Sequence, residues 1–251
     1  MKKRWQWPKL VAHPSVLMYF GMCLAVGWFK ESIIAFFIIL WHEYSHGLVA
    51  CLFGYEIKEI RLYPFGAFLM VRDFGLKPIW QDLLLVLAGP LSHLGLYLFG
   101  LFLRPWLGTH SYAYYTLVNQ SVLILNLLPI WPLDGAKLLL LCLSFKLDYL
   151  LCMKLLIPIS LLTLGLFAWY TFQIGHILIY AYLLTQIWDY ASHFYYYYLN
   201  WLIGRLAGCR YRRSVLHHDR CLLRPYHNFY LEKGCLMDEK SFIQAKFLVD
   251  K

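Results

Sequence analysis

The residues best suited to chemistry are His42, Glu43 and His46, in the run Trp41-His42-Glu43-Tyr44-Ser45-His46. On a helix, positions i and i+4 share a face, so both imidazoles can point at one metal ion. Glu43 stands one residue round the helix and can reach a water at that metal as a general base. This HExxH spacing is that of two zinc ligands and a catalytic glutamate. It directly follows residues 33–40, an unbroken apolar run. An acid at mid-span costs about 2.5 kcal/mol or more on insertion scales, so ionisable groups inside a hydrophobic span point to function. One zinc ion per chain offsets that cost by holding the histidines neutral.

A catalytic zinc usually takes three protein ligands and keeps one open position. Asp134 is the candidate for the third. It lies in the segment Asn126–Gly135, NLLPIWPLDG, which interrupts an apolar stretch. Pro129 and Pro132 each remove a backbone donor and disfavour helix at the residue before them. Irregular backbone at membrane depth is tolerated only against protein or a wet cavity, so this segment belongs in a bundle interior. The other reading of Asp134 is a helix N-cap for residues 136–145, a position that aspartate favours.

The elements that position these residues are membrane spans. Apolar residues make up 61% of the 251-residue chain and charged residues 15%, against about 25% charged in a soluble domain. The expected fold class is an all-α polytopic membrane protein of about six transmembrane helices. The spans fall near 14–29, 32–53, 80–103, 113–145 (interrupted), 150–172 and 176–203. The first is read as a retained span because no small-residue cleavage site follows it. Between spans two and three, residues 55–74 alternate apolar and charged in Ile57-Lys58-Glu59-Ile60-Arg61-Leu62 and then reach Pro64-Phe65-Gly66. That pattern predicts a short β-hairpin or re-entrant loop near the inner face.

Charge placement fixes the expected orientation. The predicted inner segments carry Lys2, Lys3, Arg4, Lys9, Lys58, Arg61, Arg72, Lys77, Lys146 and Lys154, whereas the outer loops carry only Lys30 and Arg104. Both termini are therefore expected in the cytoplasm. The net charge is +9, and the basic residues after residue 204 are expected to face anionic lipid rather than nucleic acid. Residues 1–204 form the expected six-span domain, and 205–251 a short basic cytoplasmic tail. The seven cysteines are odd in number and lack a CxxC pair, which excludes a disulfide framework or zinc-finger cage.

The chain resembles the site-2 protease family of intramembrane zinc metalloproteases, and within it the sporulation branch. The stretches that carry the resemblance are WHEYSHGLVA at 41–50, YPFGA at 63–67, AGPLSH at 88–93 and NLLPIWPLDGAKLL at 126–139. The resemblance implies that His42, His46 and Asp134 are the zinc ligands and Glu43 the catalytic glutamate. It implies that Asn126 and Pro132 handle substrate. His93 stands where many site-2 proteases have asparagine, and is read either as a further polar group near the zinc or as a hydrogen-bonding residue within the bundle. The resemblance also implies pro-sigma-K as substrate, in the mother-cell membrane around the forespore. It implies control by two membrane partners, the bypass-of-forespore inhibitor and stage IV sporulation protein FA. No match to the nucleotide-sensing domain usual in that branch is found after residue 204. Other readings are a different substrate, such as an anti-sigma factor, or a catalytically silent zinc-bound regulator.

Overall fold

The computed structural model describes residues 9–12, 14–63, 66–171, 173, 176–207, 214–217, 221–232 and 235–248. The chain is mostly helical and divides into two compact units.

The first unit comprises Met1–Arg72 and Leu84–Leu128. Its elements are β1 (Lys9–Ala12), α1 (Pro14–Val26), α2 (Phe29–Leu52), β2 (Ile57–Tyr63), β3 (Gly66–Val71) and the greater part of α3 (Ile79–Leu127). The three strands form one sheet in the order β1-β2-β3. β1 runs parallel to β2, with Leu10 opposite Ile60, and β3 runs antiparallel, with Leu69 opposite Ile60. Ile60 and Leu62 alternate inward from β2 and pack with Val16 of α1 against Phe36, Ile39 and Leu40 of α2. β3 is an edge strand. The expected YPFGA stretch at 63–67 includes Pro64 and Phe65, which lie outside the described residues.

α3 is two helical stretches joined at Gly108, whose φ of 69° and ψ of 162° no helix adopts. Glycine reaches that conformation without the Cβ clash that other residues suffer. The two stretches pack side by side: the Tyr115 hydroxyl donates to the Leu96 carbonyl at 2.6 Å. Gly100 makes room, because a Cβ there would overlap the Tyr115 ring. Ile38 of α2 joins Leu96 and Tyr115 in a buried cluster.

The second unit comprises Asp73–Leu83 and Pro129–Lys251. It holds α4 (Asp134–Leu143), α5 (Tyr149–Tyr170), α6 (Ile177–Leu206), β4 (Ser214–His217), β5 (His227–Glu232), β6 (Cys235–Asp238) and α7 (Glu239–Leu248). Asp148 caps α5 by accepting from Leu150 and Leu151, and its other oxygen accepts from the Leu222 amide at 2.8 Å. Where a short basic tail was expected, residues 214–248 build a second three-stranded sheet, order β4-β5-β6, and a helix. Arg205 at the end of α6 holds this module. It pairs with Glu239, donating at 2.7 Å from Nη2, and donates to the carbonyls of Arg224 and Tyr226. Arg224 in turn pairs with buried Asp82. Removing one partner of such a buried pair strands a charge, so these contacts specify one arrangement of the module.

Among the described residues, α2, α3 and α5 are long and apolar enough to cross a membrane. The interruption expected in the fourth span is present: α3 ends at Leu127, residues 128–133 are not helical, and α4 starts at Asp134. All described cysteines whose state is defined, Cys23, Cys51, Cys142, Cys152 and Cys221, are free thiols.

Candidate metal centre

His42, Glu43 and His46 all lie on α2, past its midpoint, as the i, i+4 spacing requires. Both histidines are buried. Their Nε2 atoms stand 3.2 Å apart. Two imidazoles bound tetrahedrally to zinc at the usual Zn–N length have nitrogens about 3.3 Å apart. The pair therefore matches a zinc chelate without rearrangement. The backbone of the facing helix leaves space at this point only because residue 89 is glycine: a Cβ there would come closer than 3.0 Å to both Nε2 atoms.

The outward nitrogens of both rings are engaged. His46 Nδ1 lies 2.7 Å from the Leu85 carbonyl. His42 Nδ1 lies 3.0 Å from His93 Nε2, and His93 Nδ1 lies 2.7 Å from Asn119 Oδ1. His93 is thus placed by the structure in a hydrogen-bonded line that ends on His42, which joins the two readings considered for it. Asn119 carried no role in the sequence reading. Its signal is a lone amide within the apolar stretch 113–125, where an unpaired polar group is costly.

Glu43 is half-buried and accepts from the Leu69 amide of β3 at 3.0 Å. The catalytic candidate therefore faces the edge strand of the sheet. A cavity of about 380 Å³ opens beside it, lined by Phe37, Leu40, Trp41, Tyr44 and Ile60. The lining is apolar apart from Glu43, as an extended apolar chain would require.

Asn126 sits near the end of α3, and its Nδ2 donates back to the Val122 carbonyl at 3.0 Å. In the second unit, Trp131–Pro132 is a cis peptide within the non-helical run, and Ser160 Oγ accepts from the Trp131 amide while donating to the Pro129 carbonyl. Asp134 is buried and is the first residue of α4, with Leu133 at the cap position. The N-cap reading of Asp134 therefore gives way: its Oδ1 accepts from Lys137 Nζ at 3.0 Å, one turn on.

The donor set fits zinc. Two neutral imidazole nitrogens and carboxylate chemistry suit this borderline cation, and His42 and His46 would hold it.

Residues 31–108 match the model of Peptidase family M50. The chain is 31% identical over 209 residues to stage IV sporulation protein FB of Bacillus subtilis, covering 80% of this chain and 72% of that protein. It is 32% identical over 114 residues to the putative zinc metalloprotease sll0528 of Synechocystis, and 29% identical over 136 residues to the zinc metalloprotease MJ0392 of Methanocaldococcus jannaschii. Those matches cover 43% and 52% of this chain, but only 30% and 39% of the two relatives. In fold it is similar to the site-2 protease of Methanocaldococcus jannaschii, with a TM-score of 0.57 at 24% identity over 72% of this chain and 89% of that one. A buried HExxH histidine pair at chelate distance, a glutamate beside it, apolar helices and these relatives agree: the chain belongs to peptidase family M50, the multi-pass membrane zinc metalloproteases of the site-2 protease type.

Proposed function

We propose that this protease cuts a membrane-associated protein substrate inside the bilayer, with His42, His46 and Asp134 as zinc ligands and Glu43 as general base. The observation that carries the reading is the 3.2 Å approach of two buried imidazole nitrogens one helical step from a carboxylate that borders a cavity. When bound, zinc supplies Lewis-acid polarisation of the scissile carbonyl and lowers the pKa of water at the site. Glu43 takes a proton from the attacking water and returns it to the leaving amine. The apolar walls of the cavity limit bulk water around that exchange.

A helical substrate keeps its peptide bonds hydrogen-bonded and must unwind to be cut. β3 supports a route for this, because it is an edge strand whose Leu69 amide points at Glu43. An extended substrate segment would pair along β3 and so arrive beside the base. Asn126 and Pro132 are proposed to contact the same segment. The fold reading that goes with this has six spans: α1, α2, the two halves of α3, α5 and α6. The basic residues of the inner segments support cytoplasmic termini.

The similarity to stage IV sporulation protein FB supports a narrower substrate, the pro-sequence of a pro-sigma-K-type factor. With it come the mother-cell membrane around the forespore and inhibition by the bypass-of-forespore protein and stage IV sporulation protein FA. Co-expression with pro-sigma-K, with and without a zinc chelator, tests this. Zinc-dependent shortening of pro-sigma-K is expected. Failure to shorten it, with an anti-sigma factor cut instead, would overturn the substrate assignment.

A further inference from the structure

The hydrogen bonds around His42 run in one direction, and that direction determines which of its nitrogens can bind a metal. The line begins at Asn119. Its Nδ2 donates to the His93 carbonyl at 3.3 Å, which turns the amide so that Oδ1 faces His93 Nδ1 at 2.7 Å. An amide oxygen only accepts, so His93 Nδ1 carries the hydrogen. In a neutral ring the other nitrogen then holds a lone pair. That nitrogen, Nε2, lies 3.0 Å from His42 Nδ1, so His42 Nδ1 is the donor of that bond. His42 Nε2 is left with a lone pair directed at His46 Nε2. His46 reaches the same state by a shorter path, because the Leu85 carbonyl at 2.7 Å obliges its Nδ1 to donate.

The opposite assignment can be weighed against this one. If His93 carried both hydrogens, His42 Nδ1 would have to accept and His42 Nε2 would carry a hydrogen aimed at its neighbour. That state closes the chelate. It also places a cation at His93, which is 1% exposed and whose hydrogen-bonded neighbours His42 and Asn119 are neutral. Burying an uncompensated charge there is strongly unfavourable. The neutral line remains, and it brings two lone pairs to 3.2 Å. Lone pairs at that distance repel unless a cation stands between them.

We propose that Asn119 and His93 are positioning residues for the metal centre: through two successive hydrogen bonds they lock His42 in the tautomer that offers Nε2 to zinc. This rests on the reading of His42 and His46 as zinc ligands. Partners that orient a ligating histidine typically contribute about 10- to 100-fold in metal affinity. What residue 93 must supply is an acceptor for His42 Nδ1–H, and not an imidazole as such.

The test uses the full chain in detergent, with zinc affinity read by competition against a chromophoric chelator. His93→Leu removes the acceptor and is expected to weaken zinc by about 10- to 100-fold, while His93→Gln keeps an acceptor and stays within about threefold of the native chain. Asn119→Leu should also weaken zinc, by a smaller factor. Two-bond 15N–1H correlation spectra of histidine-labelled native protein should place the hydrogen of His42 on Nδ1. Unchanged affinity in His93→Leu, a His93→Gln loss equal to that of His93→Leu, or a His42 hydrogen on Nε2 in the apoprotein would each overturn the proposal. The spectrum decides even if a leucine variant fails to fold. His46→Ala separates the underlying reading: full zinc stoichiometry in that variant would show that the histidine pair is not the zinc site at all.

Discussion

The Nε2 atoms of His42 and His46 lie 3.2 Å apart, in a space that exists only because Gly89 has no side chain. The nearest approach of the facing helix is therefore part of the metal centre, though residue 89 offers no ligand. Gly89→Ala should push the two imidazoles apart or displace the helix. Zinc content by elemental analysis is expected to fall to near zero while far-UV circular dichroism stays helical. Full zinc occupancy in Gly89→Ala would show that the helices part freely there.

Glu43→Gln separates chemistry from assembly. The glutamine oxygen can still accept from the Leu69 amide, so the contact with β3 is kept. Zinc stoichiometry and thermal stability should match the native chain, while cleavage falls about 10²-fold or more for loss of the base. Residual cleavage near the native rate would remove Glu43 from that role.

Glu239 gives the C-terminal module a pH dependence. Burial alone would raise its pKa, but the Arg205 guanidinium and hydrogen bonds from Asn228 outweigh this and hold the carboxyl below its ordinary value. A group depressed in this way contributes stability that is fully present above its unfolded pKa and is lost as pH falls through the lower folded value. Amide exchange in β5 and α7 should therefore be slow at neutral pH and accelerate on strong acidification. In Glu239→Gln the same amides should exchange faster at neutral pH and change less on acidification. Equal pH profiles in the two proteins would argue against the assignment.

Much of the centre was legible in the sequence because its signals are local. The i, i+4 histidines and the adjacent glutamate need only one helix, and two prolines within four residues mark the break before Asp134. The alternation in 57–62 foretold β2 for the same reason. What escaped the sequence depends on distant partners. β1 is four residues long and owes its existence to parallel pairing with β2, far along the chain. His93 and Asn119 are 26 positions apart on two halves of one kinked helix, so their hydrogen bond cannot be inferred from spacing. The role of Gly89 is invisible without the facing rings. The fold of 214–248 was hidden by its composition: its basic residues suggested a solvated tail, whereas its order comes from long-range pairs such as Arg224 with Asp82, 142 positions apart.

Those pairs also change what the charge of the C-terminal region means. Ten of the 23 Lys and Arg residues lie from Arg205 onward, and counted as a block they suggest an adhesive cationic patch. Yet the side chains of Arg205 and Arg224 are at most 2% exposed, and each is matched by a carboxylate. They contribute nothing to the surface potential that anionic headgroups would meet. They serve as internal rivets, and salt, which weakens the attraction of exposed lysines to lipid, should leave them almost untouched.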